Sequence, residues 1–250
     1  MKAKFIGKSL IELDAVSSTN EYALDLIKND IVAEGLIVFA KYQTSGKGQK
    51  DNFWESEKSK NLLLSIILHP NFVKVEEQFL ISKAVSLAVA DFVNTKVDKV
   101  SIKWPNDIYV DDRKISGILI ENTLSGNIIS NTIVGIGLNI NQIDFISDAP
   151  NPVSLKLLTG KTYILDDCIN QLSFFIEKRY KELNNDFNKT NFDYLKSLYL
   201  FNFFNLYEAK GERFVAKIID VENNGELILE TRQKEIRKYF FKEVSFLNLK

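Results

Sequence analysis

Three segments of the sequence combine residue types that can carry chemistry. The first runs from Gln43 to Trp54 and follows neither the helical period nor strand alternation. Gly46 and Gly48 would let backbone N–H groups approach a ligand, and Lys47 and Lys50 would add positive charge. This composition predicts binding of a polyanion. A solvated lysine-rich loop is the alternative, which the large aromatic at the end of the segment disfavours.

The second segment is Lys103-Trp104-Pro105-Asn106-Asp107. Pro105 fixes its own φ and keeps Trp104 extended, so a strand should end at this point. Asn106 and Asp107 would then stand at a turn, where their oxygens could bind Mg²⁺ together with water and phosphate. The alternative is an ordinary turn in which Trp104 anchors the core.

The third segment comprises Arg113 to Glu121 and, further along, Gly135 to Ile140. Strand alternation predicts that Lys114 and Gly117 lie on opposite faces. A lysine that begins a buried strand is costly unless it is paired or faces a ligand. Glycines inside strands indicate close approach of a backbone or a substrate. An edge lysine with packing glycines is an equally good interpretation of this segment taken alone.

Composition excludes several classes of function. The chain has 32 Lys and Arg against 33 Asp and Glu, a formal charge of −1, which argues against a nucleic-acid binder. A single cysteine, Cys168, excludes an internal disulfide or a thiolate zinc cluster and predicts a reducing cytoplasm. A single histidine, His69, excludes polyhistidine metal sites. No signal peptide is expected, because the N-terminus has no apolar h-region or small-residue cleavage site. No membrane span is expected, because no apolar run approaches roughly 18 residues.

The elements that must position these segments predict an α+β fold. Apolar runs at 36–40 and 62–68 indicate strands buried on both faces, and 76–96 indicates a long amphipathic helix. Strands are expected between residues 100 and 140, followed by a second long helix at about 166–184. After Phe201, short strands without a helix predict a small barrel. We expect a mixed sheet packed with helices over residues 1–200 and a small β-barrel domain over residues 201–250.

Together and in this order, the motifs resemble those of the biotin protein ligase family. The successive signatures are Ser18-Thr19-Asn20, Gln43 to Trp54, Lys103-Trp-Pro-Asn-Asp107, Arg113-Lys114-x-x-Gly117-Ile118 and Gly135-x-Gly137-x-Asn139. The resemblance covers essentially the whole chain. It implies a class II synthetase-like catalytic domain followed by an SH3-like barrel.

The family resemblance implies a two-step reaction. The carboxylate of biotin attacks the α-phosphate of ATP, with Mg²⁺ as activator, giving biotinyl-5′-AMP and pyrophosphate. A lysine of the biotin carboxyl carrier domain of a carboxylase then attacks the mixed anhydride and releases AMP. Such an enzyme needs no nucleophilic Ser, Cys or His. Its task is to position the substrates and to stabilise phosphoryl charge.

The resemblance also implies roles for individual residues. Lys114 is the central catalytic lysine, a compact charge that contacts the carboxylate and then the α-phosphate. Asp107 is the second catalytic residue, and Asn106 and Asp107 would serve Mg²⁺ or the incoming lysine. Biotin binding is expected at Ser18, Thr19, Asn20, Gln43, Gly46, Lys47, Lys114, Gly117, Ile118, Gly135 and Gly137. ATP or adenylate binding is expected at Gly46, Lys47, Gly48, Gln49, Trp54, Lys114 and Asn139.

Two alternatives stay open beside the biotin ligase. A lipoate or octanoate ligase would share the fold, although Lys-Trp-Pro-Asn-Asp and the Gly46-to-Trp54 loop favour biotin. A non-catalytic biotin or nucleotide sensor would have to explain why Lys114 and Asp107 are present. Some family members carry an N-terminal DNA-binding domain, but this chain reaches Ser18 at once, so DNA binding is not expected. A homodimer is possible, with the 128–140 region as a candidate sheet edge.

The loop departs from the family pattern Gly-Arg-Gly-Arg-x-Gly-Arg-x-Trp. Gln49 replaces the second arginine, Asp51 the third glycine and Asn52 the third arginine. A bidentate arginine–phosphate contact is therefore missing at two positions, and lysine cannot reproduce it.

We predict that Gln49→Arg slows release of the adenylate intermediate, measured as its rate of appearance in solution. An unchanged rate would contradict this.

Overall fold

The computed structural model of the chain describes residues 3–29, 31–49, 52–146 and 151–247. Seven strands form one mixed sheet in the order β1-β2-β3-β7-β6-β5-β4. These strands are β1 Leu10–Leu13, β2 Ile37–Ala40, β3 Leu62–Leu68, β4 Val100–Lys103, β5 Asp107–Val110, β6 Arg113–Ser125 and β7 Ile128–Leu138. The helices are α1 Thr19–Asn29, α2 Phe79–Asn94, α3 Leu155–Thr159, α4 Leu165–Asn185 and α5 Phe187–Ser197, with a 3₁₀ turn at Val75–Glu77.

The apolar pattern of the strands explains the layering. Every residue of β2 and β3 is buried, which confirms the predicted burial on both faces. Helix α1 packs on one face, where Ala23 meets Val38, Ile67 and Ile133. Helix α2 packs against the other side together with α4 and α5 and forms most of the main core. Among the described residues, each helix is too short or too polar to reach across a lipid bilayer.

Strand β7 lies in the interior of the sheet, so the predicted edge at 128–140 is wrong. It pairs antiparallel with β3 along Leu62–Leu68 and with β6 along its whole length. One edge of β7 is hydrogen-bonded to β6 in the long β6–β7 hairpin. The other edge of β7 is hydrogen-bonded to β3, so β7 has no free edge. Within the described part of the chain, the edges of this sheet are β1 and β4.

A bulge in β6 changes the faces that alternation predicts. Ile108 is paired with Ser116, whereas the next residue, Tyr109, is paired with Lys114, so Ile115 is an extra residue on β6. An inserted residue reverses the alternation on one side of a bulge. Lys114 and Gly117 therefore lie on the same side, and a Cβ on Gly117 would be 3.6 Å from Cε of Lys114. The predicted opposite faces are wrong for this reason.

The C-terminal strands form a second, antiparallel sheet in the order β11-β10-β9-β8-β12. They are β8 Asn205–Ala209, β9 Glu212–Val221, β10 Leu227–Thr231, β11 Ile236–Tyr239 and β12 Ser245–Leu247. Sequence reasoning did not identify β8 as a strand. Tyr207, Phe214, Tyr239 and Phe246 contact one another and connect both outer strands, so the sheet curls around this aromatic cluster. This confirms the small barrel-like unit.

Hydrogen bonds fasten the turn after β9 to the main sheet and α2. Trp104 Nε1 donates to the Gly225 carbonyl at 3.1 Å, and the Phe79 amide donates to the Asn223 carbonyl at 3.0 Å. Lys83 on α2 is 1% exposed, and its Nζ donates to the Val221 carbonyl at 2.6 Å. Burial lowers the pKa of Lys83 to about 8. The C-terminal sheet is thus held against the motif that contains Trp104.

We predict that Trp104→Phe lowers the free energy of unfolding by about 1 kcal/mol, because the Gly225 carbonyl loses its donor. Urea denaturation measures this. The matched control is Trp54→Phe, since Nε1 of Trp54 has no hydrogen-bond partner among the described residues and the change should cost less. A loss for Trp104→Phe no larger than for the control would contradict the prediction.

Candidate functional site

A cavity of about 250 Å³ opens where the start of α1, the loop after β2, strands β5 to β7 and the C-terminal sheet meet. Most of the residues predicted for the site line it. They are Ser18, Thr19, Asn20, Gln43, Lys47, Gly48, Gln49, Trp54, Asn106, Asp107, Lys114, Gly117, Ile118, Gly135 and Gly137. The fold therefore brings all of the sequence motifs to one cavity.

Gly46 and Asn139 do not line the cavity. The Gly46 carbonyl accepts a hydrogen bond from the Trp54 amide at 2.9 Å, and a Cβ on Gly46 would lie 2.6 Å from the Trp54 carbonyl oxygen. Asn139 is 3% exposed, and its Nδ2 donates to the Val153 carbonyl at 3.1 Å. Gly46 closes the base of the loop, and Asn139 supports the chain behind the cavity.

A hydrogen-bond network fixes the polar end of the cavity. Gln43 Oε1 accepts from the Thr19 amide at 2.8 Å and from Thr19 Oγ1 at 3.1 Å. Ser65 Oγ lies 2.8 Å from Thr19 Oγ1 and 2.6 Å from Asn20 Oδ1. Sequence reasoning missed Ser65. A serine inside the otherwise apolar run of β3 was the sequence signal that could have identified it, because a buried polar group needs a hydrogen-bond partner.

The strand glycines make room for side chains of this protein. Gly117 and Gly137 are cross-strand partners, and the Trp54 indole lies over both. A Cβ would be 2.9 Å from Trp54 Cζ3 at Gly117 and 2.3 Å from Trp54 Cε2 at Gly137. At Gly135, a Cβ would be 2.3 Å from Asn20 Oδ1. Only glycine allows the indole and the amide to lie this close to the sheet.

An ion pair faces the cavity between neighbouring strands. Lys114 Nζ lies 2.7 Å from Asp107 Oδ1, and the two side chains are 24% and 23% exposed. The same ammonium lies 5.7 Å from the centre of the Trp54 ring, within cation–π range. Lys114 is therefore a compact positive charge that is partly shielded from water and already oriented.

Asn106 is fixed beside this pair by two hydrogen bonds to Ile118. Its Nδ2 donates to the Ile118 carbonyl at 2.6 Å, and its own carbonyl accepts from the Ile118 amide at 3.0 Å. The turn residues Asn106 and Asp107 are thus tied to β6, the strand that bears Lys114. Among the described residues, no group of three or more His, Cys, Asp or Glu forms a metal cluster. Any metal ion here would need further ligands from substrate or water.

Lys103 supplies a second cation that sequence reasoning did not select. Burial lowers its pKa, with Asp107 opposing and Lys114 adding to this effect. Its Nζ donates to Tyr109 Oη at 3.2 Å and lies 5.6 Å from the centre of the Phe246 ring. The cavity thus has two lysines on the wall that contains Asp107.

Lys47 is neutralised by the start of α1. Its Nζ lies 2.5 Å from Glu21 Oε1, and Ser17 Oγ donates to the other carboxylate oxygen at 2.8 Å. The hydrogen bond from Lys47 lowers the pKa of Glu21, and the same contact raises the pKa of Lys47. The Glu21 carboxylate compensates the charge of Lys47, which would weaken its attraction for an anionic ligand. Lys50 and Asp51 of this loop lie outside the described residues.

The cavity is also lined by residues to which sequence reasoning gave no binding role, namely Asn52, Phe53, Lys103, Trp104, Pro105, Leu119, Ile136 and Phe241. All of them except Phe241 lie within the three segments that the sequence analysis selected. Phe241 follows β11, and its ring centre lies 6.3 Å from that of Trp104. No local pattern marks Phe241, because only the docking of the C-terminal sheet brings it to the cavity.

Two buried polar atoms on the cavity walls have no hydrogen-bond partner among the described residues. They are the donor Nε1 of Trp54 and the acceptor Oε1 of Gln49. A buried polar group without a partner costs free energy, which a ligand with complementary polar groups would recover. The cavity is therefore suited to a ligand that has both donors and acceptors.

Comparison with known proteins identifies the family. The family model described as biotin/lipoate A/B protein ligase matches residues 12–139, slightly more than half of the chain. The chain belongs to this family. The bifunctional ligase/repressor BirA of Bacillus spizizenii is 28% identical over 253 residues, which cover 98% of this chain and 76% of that protein. The biotin–[acetyl-CoA-carboxylase] ligase of Mycobacterium tuberculosis is 29% identical over 145 residues, 54% of this chain and 52% of that protein.

The fold matches that of solved family members. The biotin protein ligase from Aquifex aeolicus, solved in complex with biotin and ATP, superposes with a TM-score of 0.79. The match covers 96% of this chain and 99% of that one, at 24% sequence identity. The mixed sheet with helices and the small C-terminal sheet are therefore the architecture of this family, as predicted.

We predict that Gly137→Ala displaces the Trp54 indole, because the new methyl group would meet Cε2 of Trp54 at 2.3 Å. The tryptophan fluorescence emission should shift to longer wavelength as the ring becomes more exposed. The same substitution in a Trp54→Phe background isolates Trp104 and should leave emission unchanged. An identical response in both backgrounds would contradict this placement of the ring.

Proposed function

We propose that this chain is a biotin protein ligase, which activates biotin with ATP and transfers it to a lysine of a biotin carboxyl carrier domain. The observation that carries the proposal is the convergence of the family motifs on one cavity, with the Lys114–Asp107 pair on its wall. Proteins similar to this chain are named biotin ligases, and one was solved with biotin and ATP.

In the first step, a biotin carboxylate oxygen bonds to the α-phosphorus of ATP, and the bond to pyrophosphate breaks. Both reactants are anions, so their approach needs a positive charge between them. Lys114 supplies that charge on a cavity wall that is partly shielded from water, where electrostatic stabilisation is stronger than in bulk solvent. Lys103, on the same wall, adds a second positive charge for the phosphates.

In the second step, the carrier lysine amine bonds to the biotin carbonyl carbon, and AMP leaves with the electrons of the anhydride bond. The amine must first lose a proton, since the reference pKa of lysine is about 10.4. Asp107 is the carboxylate nearest to Lys114, at 2.7 Å, and we assign it the role of orienting and deprotonating the incoming amine.

Mg²⁺ neutralises phosphate charge in such reactions when it is bound. Asn106 and Asp107 both line the cavity and carry oxygen ligands of the kind that Mg²⁺ prefers. Two protein ligands suit an ion that arrives with the nucleotide, its other positions being filled by phosphate and water. We propose these two residues for that role.

The polar end of the cavity favours biotin over lipoate. Biotin ends in a cyclic urea with N–H donors and a carbonyl acceptor, whereas the dithiolane ring of lipoate lacks both. The Thr19–Gln43–Ser65 network presents hydroxyl and amide groups that can pair with a urea. The dithiolane ring could form no such hydrogen bond with these groups, which favours biotin.

We also propose a division of the chain near residue 200 into a ligase domain and a C-terminal domain. The second sheet begins with Asn205, and Phe241, in the turn between β11 and β12, lines the cavity. The C-terminal domain would therefore take part in substrate binding. Homodimer formation, a lack of DNA binding and a cytoplasmic location stay predictions of the sequence.

The proposal predicts that purified protein with Mg-ATP and biotin, but no carrier, forms biotinyl-5′-AMP, detected by mass spectrometry. Lys114→Ala should abolish the product, because the two anions lose the charge between them. Lys161→Ala, an exposed lysine outside the cavity, is the matched control and should keep the activity.

Parallel reactions with lipoate and octanoate separate the alternatives. Acyl-adenylate from either acid in place of biotin would make the chain a ligase of that acid. Binding of biotin without any adenylate would favour the sensor.

A further inference from the structure

Four side-chain oxygen atoms form a row at the polar end of the cavity. They are Asn20 Oδ1, Ser65 Oγ, Thr19 Oγ1 and Gln43 Oε1, and the successive distances are 2.6, 2.8 and 3.1 Å. The outer two are amide carbonyl oxygens, which can only accept hydrogen bonds, and the inner two are hydroxyls with one hydrogen each. Two hydroxyl hydrogens therefore serve three oxygen–oxygen contacts in this oxygen row.

The Glu121 carboxylate, on β6, fixes the orientation of the amide at one end of the oxygen row. Asn20 is 4% exposed, and its Nδ2 donates to Glu121 Oε2 at 2.6 Å. The Leu119 carbonyl lies 3.4 Å from the same nitrogen, a long distance for a hydrogen bond. An ionised carboxylate has no hydrogen to donate. The Asn20 amide therefore turns Nδ2 towards Glu121 and Oδ1 towards Ser65.

This orientation fixes the direction of the hydrogen bonds along the oxygen row. Ser65 gives its single hydrogen to Asn20 Oδ1, because that oxygen can only accept. The Thr19 hydroxyl has one hydrogen to give, and both Ser65 Oγ and Gln43 Oε1 lie within hydrogen-bond distance of it. In either case, Thr19 Oγ1 receives no hydrogen from the oxygen row. Thr19 lines the cavity, so this oxygen can accept a hydrogen bond from a ligand there.

The opposite orientation of the Asn20 amide would remove this property. With Nδ2 facing Ser65, the amide would donate to Ser65 Oγ, which would donate to Thr19 Oγ1. Thr19 would then donate to Gln43 Oε1, so each of the three contacts would contain one hydrogen. Thr19 Oγ1 would already accept a hydrogen bond, and a ligand donor would gain less from it. Glu121 therefore determines whether the oxygen row is one hydrogen short.

The negative charge of Glu121 acts in the same direction. When Thr19 donates to Ser65, Thr19, Ser65 and Asn20 all donate towards the carboxylate. A chain of hydrogen bonds that point the same way polarises its members. The carboxylate thus makes Thr19 Oγ1 a stronger acceptor, although neither Glu121 nor Ser65 lines the cavity.

We infer that Glu121 is a positioning residue that, through Asn20 and Ser65, makes the polar end of the cavity select a ligand N–H donor. The inference rests on the proposed function, in which this end receives the cyclic urea of biotin. A urea N–H supplies the hydrogen that the oxygen row lacks. A ring oxygen in its place would bring a further acceptor against Thr19 Oγ1, and the hydrogen bond would be lost.

Calorimetric titration of biotin and of its two cyclic carbamate analogues, in each of which an oxygen replaces one ureido N–H, measures this selection. For wild type, at least one analogue should bind roughly tenfold more weakly than biotin, the effect of one lost hydrogen bond. Glu121→Ala should weaken biotin by roughly the same factor and leave that analogue nearly unchanged, because the Asn20 amide can then turn. The ratio of the two Kd values should therefore approach one. Glu121→Gln keeps an oxygen acceptor for Asn20 Nδ2 and should keep most of the ratio.

The matched control is Asp98→Ala. Asp98 is an exposed residue just before β4 and outside the cavity, so the variant loses the same charge and should keep the wild-type ratio. In a Ser65→Ala background, Glu121→Ala should change the ratio no further, because Asn20 is then no longer connected to Thr19. Thermal unfolding of each variant separates lost selection from lost folding.

The outcomes distinguish this inference from the proposed function. An unchanged ratio in Glu121→Ala would overturn the inference alone. So would an equal weakening of biotin and both analogues in this variant, since Glu121 would then only support the shape of the cavity. Equal binding of biotin and both analogues by the wild type would overturn it as well. A failure of the wild-type protein to bind biotin would overturn the proposed function, and the inference with it.

Discussion

A lysine ammonium on the wall of a partly buried cavity is costly unless it is paired, and Asp107, 2.7 Å from Lys114, provides this pairing. The pair requires β5 and β6 to be neighbours, and it requires the bulge at Ile115, without which Lys114 would lie on the face opposite Gly117. The other features of the cavity are arranged around this charge. Trp54 covers it from the loop, and Asn106 is tied to the same strand.

The glycines show how closely the loop and the sheet depend on each other. The sequence predicted close approach of a backbone or a substrate at Gly117 and Gly137, but the Trp54 indole occupies the space above them. Gly135 similarly admits the Asn20 amide, which belongs to the Ser65 network. The cavity is therefore preorganised by side chains of the chain itself, and this reduces the reorganisation that binding would require.

The C-terminal sheet belongs to the same arrangement. Trp104 donates a hydrogen bond to the Gly225 carbonyl, and Lys83 donates one to the Val221 carbonyl. Phe241, in the turn after β11, lines the cavity. A buried lysine such as Lys83 is costly, but its Nζ has three oxygen partners, and its lowered pKa reflects the remaining cost of burial. The position of the second sheet is thus fixed by specific polar contacts as well as by apolar packing.

The sequence by itself determined the family, the two-sided burial of β2 and β3, and most of the residues that line the cavity, because these follow from local motifs and from apolar periodicity. Only the tertiary structure decided that β7 is interior, since the pairing of distant strands is not encoded in alternation. The bulge at Ile115 likewise depends on the register between β5 and β6. Ser65 contacts Thr19 and Phe241 contacts Trp104, both far away in the chain, so their roles depend on contacts that no local pattern records.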